Sequence, residues 1–136
     1  GYRPFPEPQM AVLVELALGI VRRWSIPSAR VLGHSDIAPA RKDDPGELFD
    51  WRRLAVAGLG RWPAITQPRP PDPLLAARAL AGIGYAGEAQ GVALATALRA
   101  FQRHYRQTCC DGVLDAGTMG HLLAVAALCG GDDAAT

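Results

Sequence analysis

Residues 61–73, RWPAITQPRPPDP, divide this sequence into two parts. Five of the chain's eleven prolines lie in this segment. Proline lacks a backbone N–H and fixes φ, so such a segment favours extended polyproline geometry over a helix or a sheet. We therefore predict a linker at residues 63–73. It separates a front part at residues 1–62 from a rear part at residues 74–130, which a tail at residues 131–136 follows.

The overall composition is that of a globular protein. The 136 residues carry a formal net charge of +1, with 49% apolar and 20% charged residues. This near-balance of charge argues against a protein that holds nucleic acid by bulk charge. The longest strongly apolar run, residues 10–21, is interrupted by Glu15 and is too short to cross a bilayer, so we expect no transmembrane segment.

The front part has the pattern of a helix, a short strand, a loop and a second helix. Apolar residues recur every three or four positions over residues 8–24, which predicts a helix. The apolar run at residues 30–33 predicts a short buried strand, and the stretch at residues 35–48 predicts a loop. Asp50 is a suitable N-cap for a further helix that Gly58 ends.

The rear part has the pattern of three helices. The first is predicted at residues 74–80, ended by Gly82, and the second at residues 92–105, where apolar residues form one stripe. The third begins after Asp115, a plausible N-cap, and runs to about Cys129. We therefore expect a small all-α unit here.

Cys109, Cys110 and Cys129 are the only cysteines of the chain. Their odd number and the absence of a CxxC pair predict neither a disulfide framework nor a zinc finger. Either all three are small buried apolar residues, or Cys129 forms a disulfide with one of the adjacent pair. The low cysteine density favours the first interpretation.

The loop after the predicted strand carries residues suited to metal chemistry. His34 follows the end of the strand, and Asp44 lies ten residues further on. Histidine nitrogen and aspartate oxygen both suit zinc, whose catalytic sites use three protein ligands and leave one position for water. Lys42 lies two residues before Asp44, where a cation would stabilise the oxyanion that forms when water attacks a carbonyl.

The spacing of these residues does not by itself establish a metal site. Two candidate ligands are fewer than the three that a catalytic zinc site uses. A histidine hydrogen-bonded at a strand end, an aspartate in a turn and a solvated lysine fit the same pattern. On spacing alone, this simpler interpretation is favoured.

Residues 31–51, VLGHSDIAPARKDDPGELFDW, resemble the C-terminal catalytic segment of zinc-dependent N-acetylmuramoyl-L-alanine amidases of the AmpD/AmiD type. Residues 2–7, YRPFPE, also resemble this family. The resemblance implies an α/β catalytic domain, of which the front part is the C-terminal portion, with Zn²⁺ as cofactor. It implies that His34 and Asp44 are zinc ligands and that Lys42 stabilises the transition state. The implied reaction is hydrolysis of the amide between the lactyl group of N-acetylmuramic acid and L-alanine of the stem peptide.

The resemblance also implies two groups that have no counterpart in this sequence. The family's first histidine ligand and its water-activating glutamate precede the matched segment, and Glu7 and Glu15 do not fit the glutamate motif. We therefore expect this chain alone to be inactive or nearly so, because each lost ligand weakens zinc binding. The alternative is a non-catalytic peptidoglycan-binding or regulatory protein with an incomplete amidase domain.

Three segments of the rear part resemble a three-helix peptidoglycan-binding domain. They are LAGIGY at residues 80–85, AFQRHYR at residues 100–106 and DGVLDAGT at residues 111–118. The resemblance implies peptidoglycan or muropeptides as partners and a location in the periplasm or at the cell surface, with the cytoplasm as the alternative. His104 and His121 are expected to be surface or packing residues rather than zinc ligands, because the linker separates them from His34.

Overall fold

The computed structural model describes residues 2–131, and within them the regular structure consists of helices. The helices are α1 (Glu7–Trp24), α2 (His34–Ile37), α3 (Trp51–Val56), α4 (Pro73–Ile83), α5 (Leu94–Tyr105) and α6 (Ala116–Gly130), with short 3-10 turns at Ser28–Arg30 and Glu88–Gln90. No helix in this part of the chain is long and apolar enough to cross a membrane. Of the predicted tail, residues 132–136 lie outside the described residues.

The predicted strand at residues 30–33 is not formed. Val31 has extended backbone angles, but its N–H donates to the carbonyl of Ser28 at 3.2 Å, and the N–H of Arg30 donates to Pro27 at 2.9 Å. These local bonds make a 3-10 turn, whereas a strand needs a neighbouring strand with which to exchange hydrogen bonds. No strand is present in residues 2–131. The α/β class predicted for the front part is therefore wrong for the described residues, which are all-helical.

The helices α1 and α3 contribute to a small apolar core in the front part. Its buried members are Met10, Phe49, Trp51, Leu54 and Leu59. Helix α1 matches the helix predicted at residues 8–24 and ends where Ser25 takes a left-handed conformation. Helix α3 begins as predicted, because the carboxylate of Asp50 accepts the N–H of Arg53 at 3.0 Å.

The rear part forms the three predicted helices, α4, α5 and α6. Helix α4 runs past Gly82 to Ile83 and is ended by Gly84, whose φ of 117° is accessible to glycine at little cost. Helix α6 begins after Asp115, whose carboxylate accepts the N–H of Thr118 at 2.7 Å. The three helices enclose a core that includes Leu80, Leu98, Phe101, Met119 and Leu122.

The proline-rich segment has no regular structure, but it is packed against the rear helices. The N–H of Arg69 donates to the carbonyl of Ala116 at 3.0 Å. The carbonyl of Gln67 approaches Gly120 so closely that a Cβ at Gly120 would overlap it. The segment thus lies along α6, and its role as a domain boundary stays a prediction.

The three cysteines are free and half-buried. The thiol of Cys109 donates to the carboxylate of Asp111 at 3.5 Å. Burial raises the pKa of Cys110 to about 11, so this thiol is protonated at neutral pH. The structure therefore matches the interpretation in which the three cysteines form no disulfide.

Candidate active site

His34 and Asp44 lie side by side at the beginning of α2. His34 is the first residue of this helix, and its Nδ1 lies 2.6 Å from Oδ2 of Asp44. The N–H of Ser35 donates to the backbone carbonyl of Asp44 at 3.0 Å, which ties the helix to the returning loop. The two side chains are 70% and 58% exposed, so the pair is open to solvent. The structure therefore brings together both residues predicted as ligands, although their role as ligands stays a prediction.

A turn after α2 reverses the chain between the two residues. The backbone N–H groups of Arg41 and Lys42 both donate to the carbonyl of Ala38, at 2.9 and 3.0 Å. Lys42 is exposed on the same loop as Asp44. The turn therefore places Lys42 two residues before Asp44, on the part of the chain that returns to α2.

Close packing around Gly33 holds the returning loop against α2. A Cβ at Gly33 would lie 2.6 Å from Cδ of Pro45 and 3.0 Å from the ring of Trp51. Both distances are shorter than ordinary carbon–carbon contacts, so only glycine fits here without displacement of a neighbour. Because Pro45 directly follows Asp44, this contact fixes how near Asp44 comes to His34.

The contact between His34 and Asp44 decides the ionisation of Asp44. The hydrogen bond from His34 lowers the pKa of Asp44 below its ordinary value, and the positive charge of Lys42 acts in the same direction. Asp44 is therefore ionised at neutral pH. An ionised carboxylate is the form that binds a metal ion.

The donor atoms of the pair, an imidazole nitrogen and a carboxylate oxygen, suit zinc. Within residues 2–131 no group of three or more histidine, cysteine, aspartate and glutamate side chains is placed to hold a metal ion. The chemistry of this donor pair fits part of a zinc site, but two donors are fewer than the three protein ligands of a catalytic site, so their role as ligands stays a prediction.

A second polar cluster is buried and is centred on Asp36 of α2. Oδ1 of Asp36 accepts the hydroxyl hydrogen of Tyr85 at 2.6 Å. Oδ2 of Asp36 lies 2.9 Å from Nδ1 of His104 and accepts the N–H of Gly33, also at 2.9 Å. The side chains of Asp36 and His104 are only 4% and 3% exposed, so this pair is shielded from solvent. It joins the front part to helix α5 of the rear part.

The partners of Asp36 decide its ionisation. Burial by itself raises the pKa of Asp36, but the hydrogen bond and charge of His104, together with the hydrogen bonds from Tyr85 and Gly33, outweigh burial and lower this pKa below its ordinary value. Burial and the negative charge of Asp36 raise the pKa of Tyr85 well above its ordinary value. The tyrosine therefore remains a hydrogen-bond donor to an ionised carboxylate.

Sequence reasoning missed this cluster. His104 is a packing residue, as expected, but it is also a buried hydrogen-bond partner of Asp36, and it stays apart from the pair of His34 and Asp44. His121 is half-buried, with its Nδ1 2.8 Å from the carbonyl of Gly117. The one available signal was that Asp36 lies inside the same motif as His34 without a role. Its partners are 49 and 68 residues further along the chain, so no local spacing identifies them.

Comparison with known proteins shows which family the front part is similar to. Residues 1–47 match the sequence model of a family described as N-acetylmuramoyl-L-alanine amidase. This match confirms the resemblance to amidases that the motif around His34 predicts.

Two curated relatives are similar to this chain. It is 37% identical over 129 residues to N-acetylmuramoyl-L-alanine amidase AmiD of Escherichia coli K12. This match covers 86% of the chain and 47% of AmiD. It is 42% identical over 51 residues to 1,6-anhydro-N-acetylmuramyl-L-alanine amidase AmpD of Enterobacter cloacae. This match covers 38% of the chain and 27% of AmpD. The chain thus spans about half the length of the first relative and about a quarter of the second.

Two solved structures are similar over both parts of the chain. E. coli AmiD in complex with the substrate anhydro-N-acetylmuramic acid-L-Ala-D-gamma-Glu-L-Lys gives a TM-score of 0.81 at 35% identity, covering 92% of this chain and 53% of AmiD. AmpDh3 of Pseudomonas aeruginosa gives a TM-score of 0.79 at 33% identity, covering 92% of this chain and 54% of AmpDh3. Because each match covers 92% of the chain, the similarity includes the rear helices as well as the front part.

Proposed function

We propose that this chain forms part of a zinc-dependent N-acetylmuramoyl-L-alanine amidase. The reaction is hydrolysis of the amide between the lactyl group of N-acetylmuramic acid and L-alanine of the peptidoglycan stem peptide. One observation carries the proposal: Nδ1 of His34 and Oδ2 of Asp44 lie 2.6 Å apart inside the segment that matches the amidase family. The substrate of AmiD, an anhydromuramyl peptide, supports this choice of substrate class.

His34 and Asp44 would hold the zinc ion, and zinc supplies Lewis-acid catalysis when it is bound. Lys42, on the loop that reaches Asp44, provides the positive charge that stabilises the oxyanion developing on the amide carbonyl. The exposure of the pair leaves room for a large polymeric substrate to approach it. Each residue thus has one role: two hold the metal and one stabilises charge.

This chain by itself is proposed to be inactive or nearly so. Its pair of His34 and Asp44 supplies two ligands, and the resemblance assigns a further histidine ligand and a water-activating glutamate to residues without a counterpart here. Zinc binding by two exposed side chains is weak, because each ligand adds charge neutralisation and geometric constraint.

The rear helices are proposed to bind peptidoglycan. A cavity of about 500 Å³ lies on them and is lined by residues that include Leu74, Ala77, Leu80, Ala86, Gln90 and Leu94. Its volume is in the range of ligand sites, and its lining combines apolar side chains with the polar Gln90. A wall-binding unit serves an enzyme that works where the polymer is, which supports a location in the periplasm or at the cell surface, with the cytoplasm as the alternative.

A zinc titration and an assay on anhydromuramyl peptides test this proposal. Zinc is expected to shift the ring resonances of His34 in NMR spectra of the chain. The chain alone is expected to release no peptide, and a longer protein that also supplies the missing histidine and glutamate is expected to release L-alanine-linked peptides. Lys42→Ala in that longer protein should keep zinc and lower kcat by about 10²- to 10³-fold.

Binding to purified sacculi without any zinc effect on His34 would favour the non-catalytic alternative. Release of peptide by the chain alone would contradict the proposed inactivity. Retention of full activity by Lys42→Ala would remove Lys42 from the mechanism.

A further inference from the structure

Residues 103–107, at the end of helix α5 and just after it, contact the segment at residues 36–49 that carries Asp44. Nη1 of Arg103 lies 2.8 Å from Oδ1 of Asp43, the residue between Lys42 and Asp44. Nδ1 of His104 lies 2.9 Å from Oδ2 of Asp36. Just after the end of α5, the side-chain amide of Gln107 donates to the backbone carbonyl of Phe49 at 2.6 Å. The end of α5 and the residue Gln107 that follows it therefore contact both ends of the segment at residues 36–49.

The ring of His104 is held rigidly. It stacks between Trp51 and Tyr105, with ring centroids 3.9 and 4.0 Å away and interplanar angles of 13° and 9°. The two parallel aromatic rings fix the plane of the imidazole, and the carboxylate of Asp36 favours the orientation in which Nδ1 faces it.

Asp36 transmits this rigidity to His34. Its Oδ2, which contacts His104, also accepts the N–H of Gly33, the residue directly before His34. Its Oδ1 accepts the hydroxyl hydrogen of Tyr85, which lies in the segment that connects α4 to α5. The first turn of α2 is thereby anchored from the rear part, and Ser35 of the same turn donates to the carbonyl of Asp44.

We infer that His104 and Tyr85 are positioning residues that hold His34 opposite Asp44 through Asp36. The rear helices then have a second role besides wall binding: they complete the scaffold of the metal site. The inference rests on the proposed function in that it takes His34 and Asp44 as the zinc ligands. Neither His104 nor Tyr85 touches the reacting atoms.

Three single substitutions separate positioning from general stability. His104→Phe keeps an aromatic ring between Trp51 and Tyr105 and removes the hydrogen bond to Asp36. Tyr85→Phe removes one hydroxyl group. The control, Thr118→Val, removes a buried hydroxyl that bonds to Gln102 and Arg106 inside the rear part, away from Asp36.

Hydrogen exchange at the amide of Ser35 is the first measurement, and it needs no metal. This N–H is bonded to the carbonyl of Asp44, so its protection reports whether the loop stays closed on α2. In His104→Phe and Tyr85→Phe, exchange at Ser35 is expected to accelerate by about tenfold or more relative to amides in the middle of α6. In Thr118→Val this ratio is expected to stay as in the unsubstituted chain.

The zinc dissociation constant, followed through the ring of His34, is the second measurement. Both substitutions at the cluster should weaken zinc binding by about tenfold, the size of effect typical of residues that orient a ligand, and Thr118→Val should not. Unchanged Ser35 protection in both folded variants would overturn the inference, and so would an equal effect of Thr118→Val.

The two proposals fail in different ways. If the unsubstituted chain bound no zinc while Ser35 responded to His104→Phe and Tyr85→Phe, the zinc assignment would fail and the positioning of the pair would stand. If zinc bound at His34 and neither substitution changed its affinity or the exchange at Ser35, the proposed function would stand and the positioning would be wrong.

Discussion

Asp36 and His104 are 68 residues apart in the sequence, and in the folded chain Oδ2 of the first lies 2.9 Å from Nδ1 of the second. Both side chains are almost completely buried. A buried charged group is costly unless it is paired and hydrogen-bonded, and here every partner of Asp36 is itself held by other contacts. This pair ties the front part to the rear helices.

Asp36→Ala should therefore lower the free energy of unfolding by about 3 kcal/mol, because it leaves His104 and Tyr85 buried without their shared acceptor. Urea-induced unfolding measures the loss. The matched control is Asp43→Ala, which removes an 80% exposed partner of Arg103 and should cost less than about 1 kcal/mol. Similar losses in the two variants would show that the buried pair contributes no more than a surface ion pair.

Gly33→Ala should destabilise the fold and move the loop away from His34. The added Cβ would lie 2.6 Å from Cδ of Pro45, and overpacking of this kind costs about 2 kcal/mol. The control is Gly19→Ala, since a Cβ at Gly19 in α1 meets nothing within 4 Å. Alanine is the better helix former, so this control should raise the free energy of unfolding in the same urea experiment. A stabilising Gly33→Ala would refute the close packing.

Zinc binding should depend on both members of the candidate pair. His34→Ala and Asp44→Ala should each abolish detectable binding in calorimetric titrations, because one exposed ligand that remains cannot retain the ion. His121→Ala is the matched histidine control and should leave the zinc affinity unchanged, since this ring contacts the carbonyl of Gly117 in α6. Binding that survives either loss would exclude that residue from the ligand set.

The pairing of Asp115 with Arg106 should make part of the stability depend on pH. The hydrogen bond from Arg106, together with that from the N–H of Thr118, lowers the pKa of Asp115 to about 2 from an ordinary value near 3.8. A lowered pKa in the folded state means that the contribution is present above about pH 4 and is lost as the pH falls towards 2.

Asp115→Asn keeps an N-cap acceptor and removes the charge. Urea-induced unfolding at pH 5 should give a higher free energy of unfolding for the unsubstituted chain than for Asp115→Asn. The difference should be less than about 1 kcal/mol, because Asp115 is 44% exposed. It should disappear near pH 2. A difference that is constant between these two pH values would show that the charge of Asp115 has no part in stability.

Sacculus binding should depend on the cavity beside α4. Ala77→Glu places a charged side chain at the exposed edge of this cavity and should reduce the bound fraction in a pull-down with purified sacculi by tenfold or more. Ala127→Glu adds the same side chain to an exposed position on α6 and should bind as the unsubstituted chain does. Equal binding by both variants would place the binding surface elsewhere.

Much of the fold could be predicted from local patterns. The helix at residues 8–24, the N-caps Asp50 and Asp115 and the three rear helices all follow from contacts within a few residues. The strand at residues 30–33 was predicted wrongly, because an apolar run looks the same in a strand and in a turn until its hydrogen-bond partners are known. In the described residues those partners are Pro27 and Ser28.

The sequence alone determined the longer helices and the identity of the two candidate ligands, because caps, periodicity and a motif of fourteen consecutive residues at 33–46 are local properties. It did not predict the short helix α2, which lies where a loop was predicted at residues 35–48. Only the tertiary structure decided that Asp36 is buried between Tyr85 and His104, and that a rear helix supports the loop that carries His34 and Asp44. Contacts across 49 and 68 residues depend on how whole helices pack, and the packing of helices is a property of the complete core rather than of any one segment.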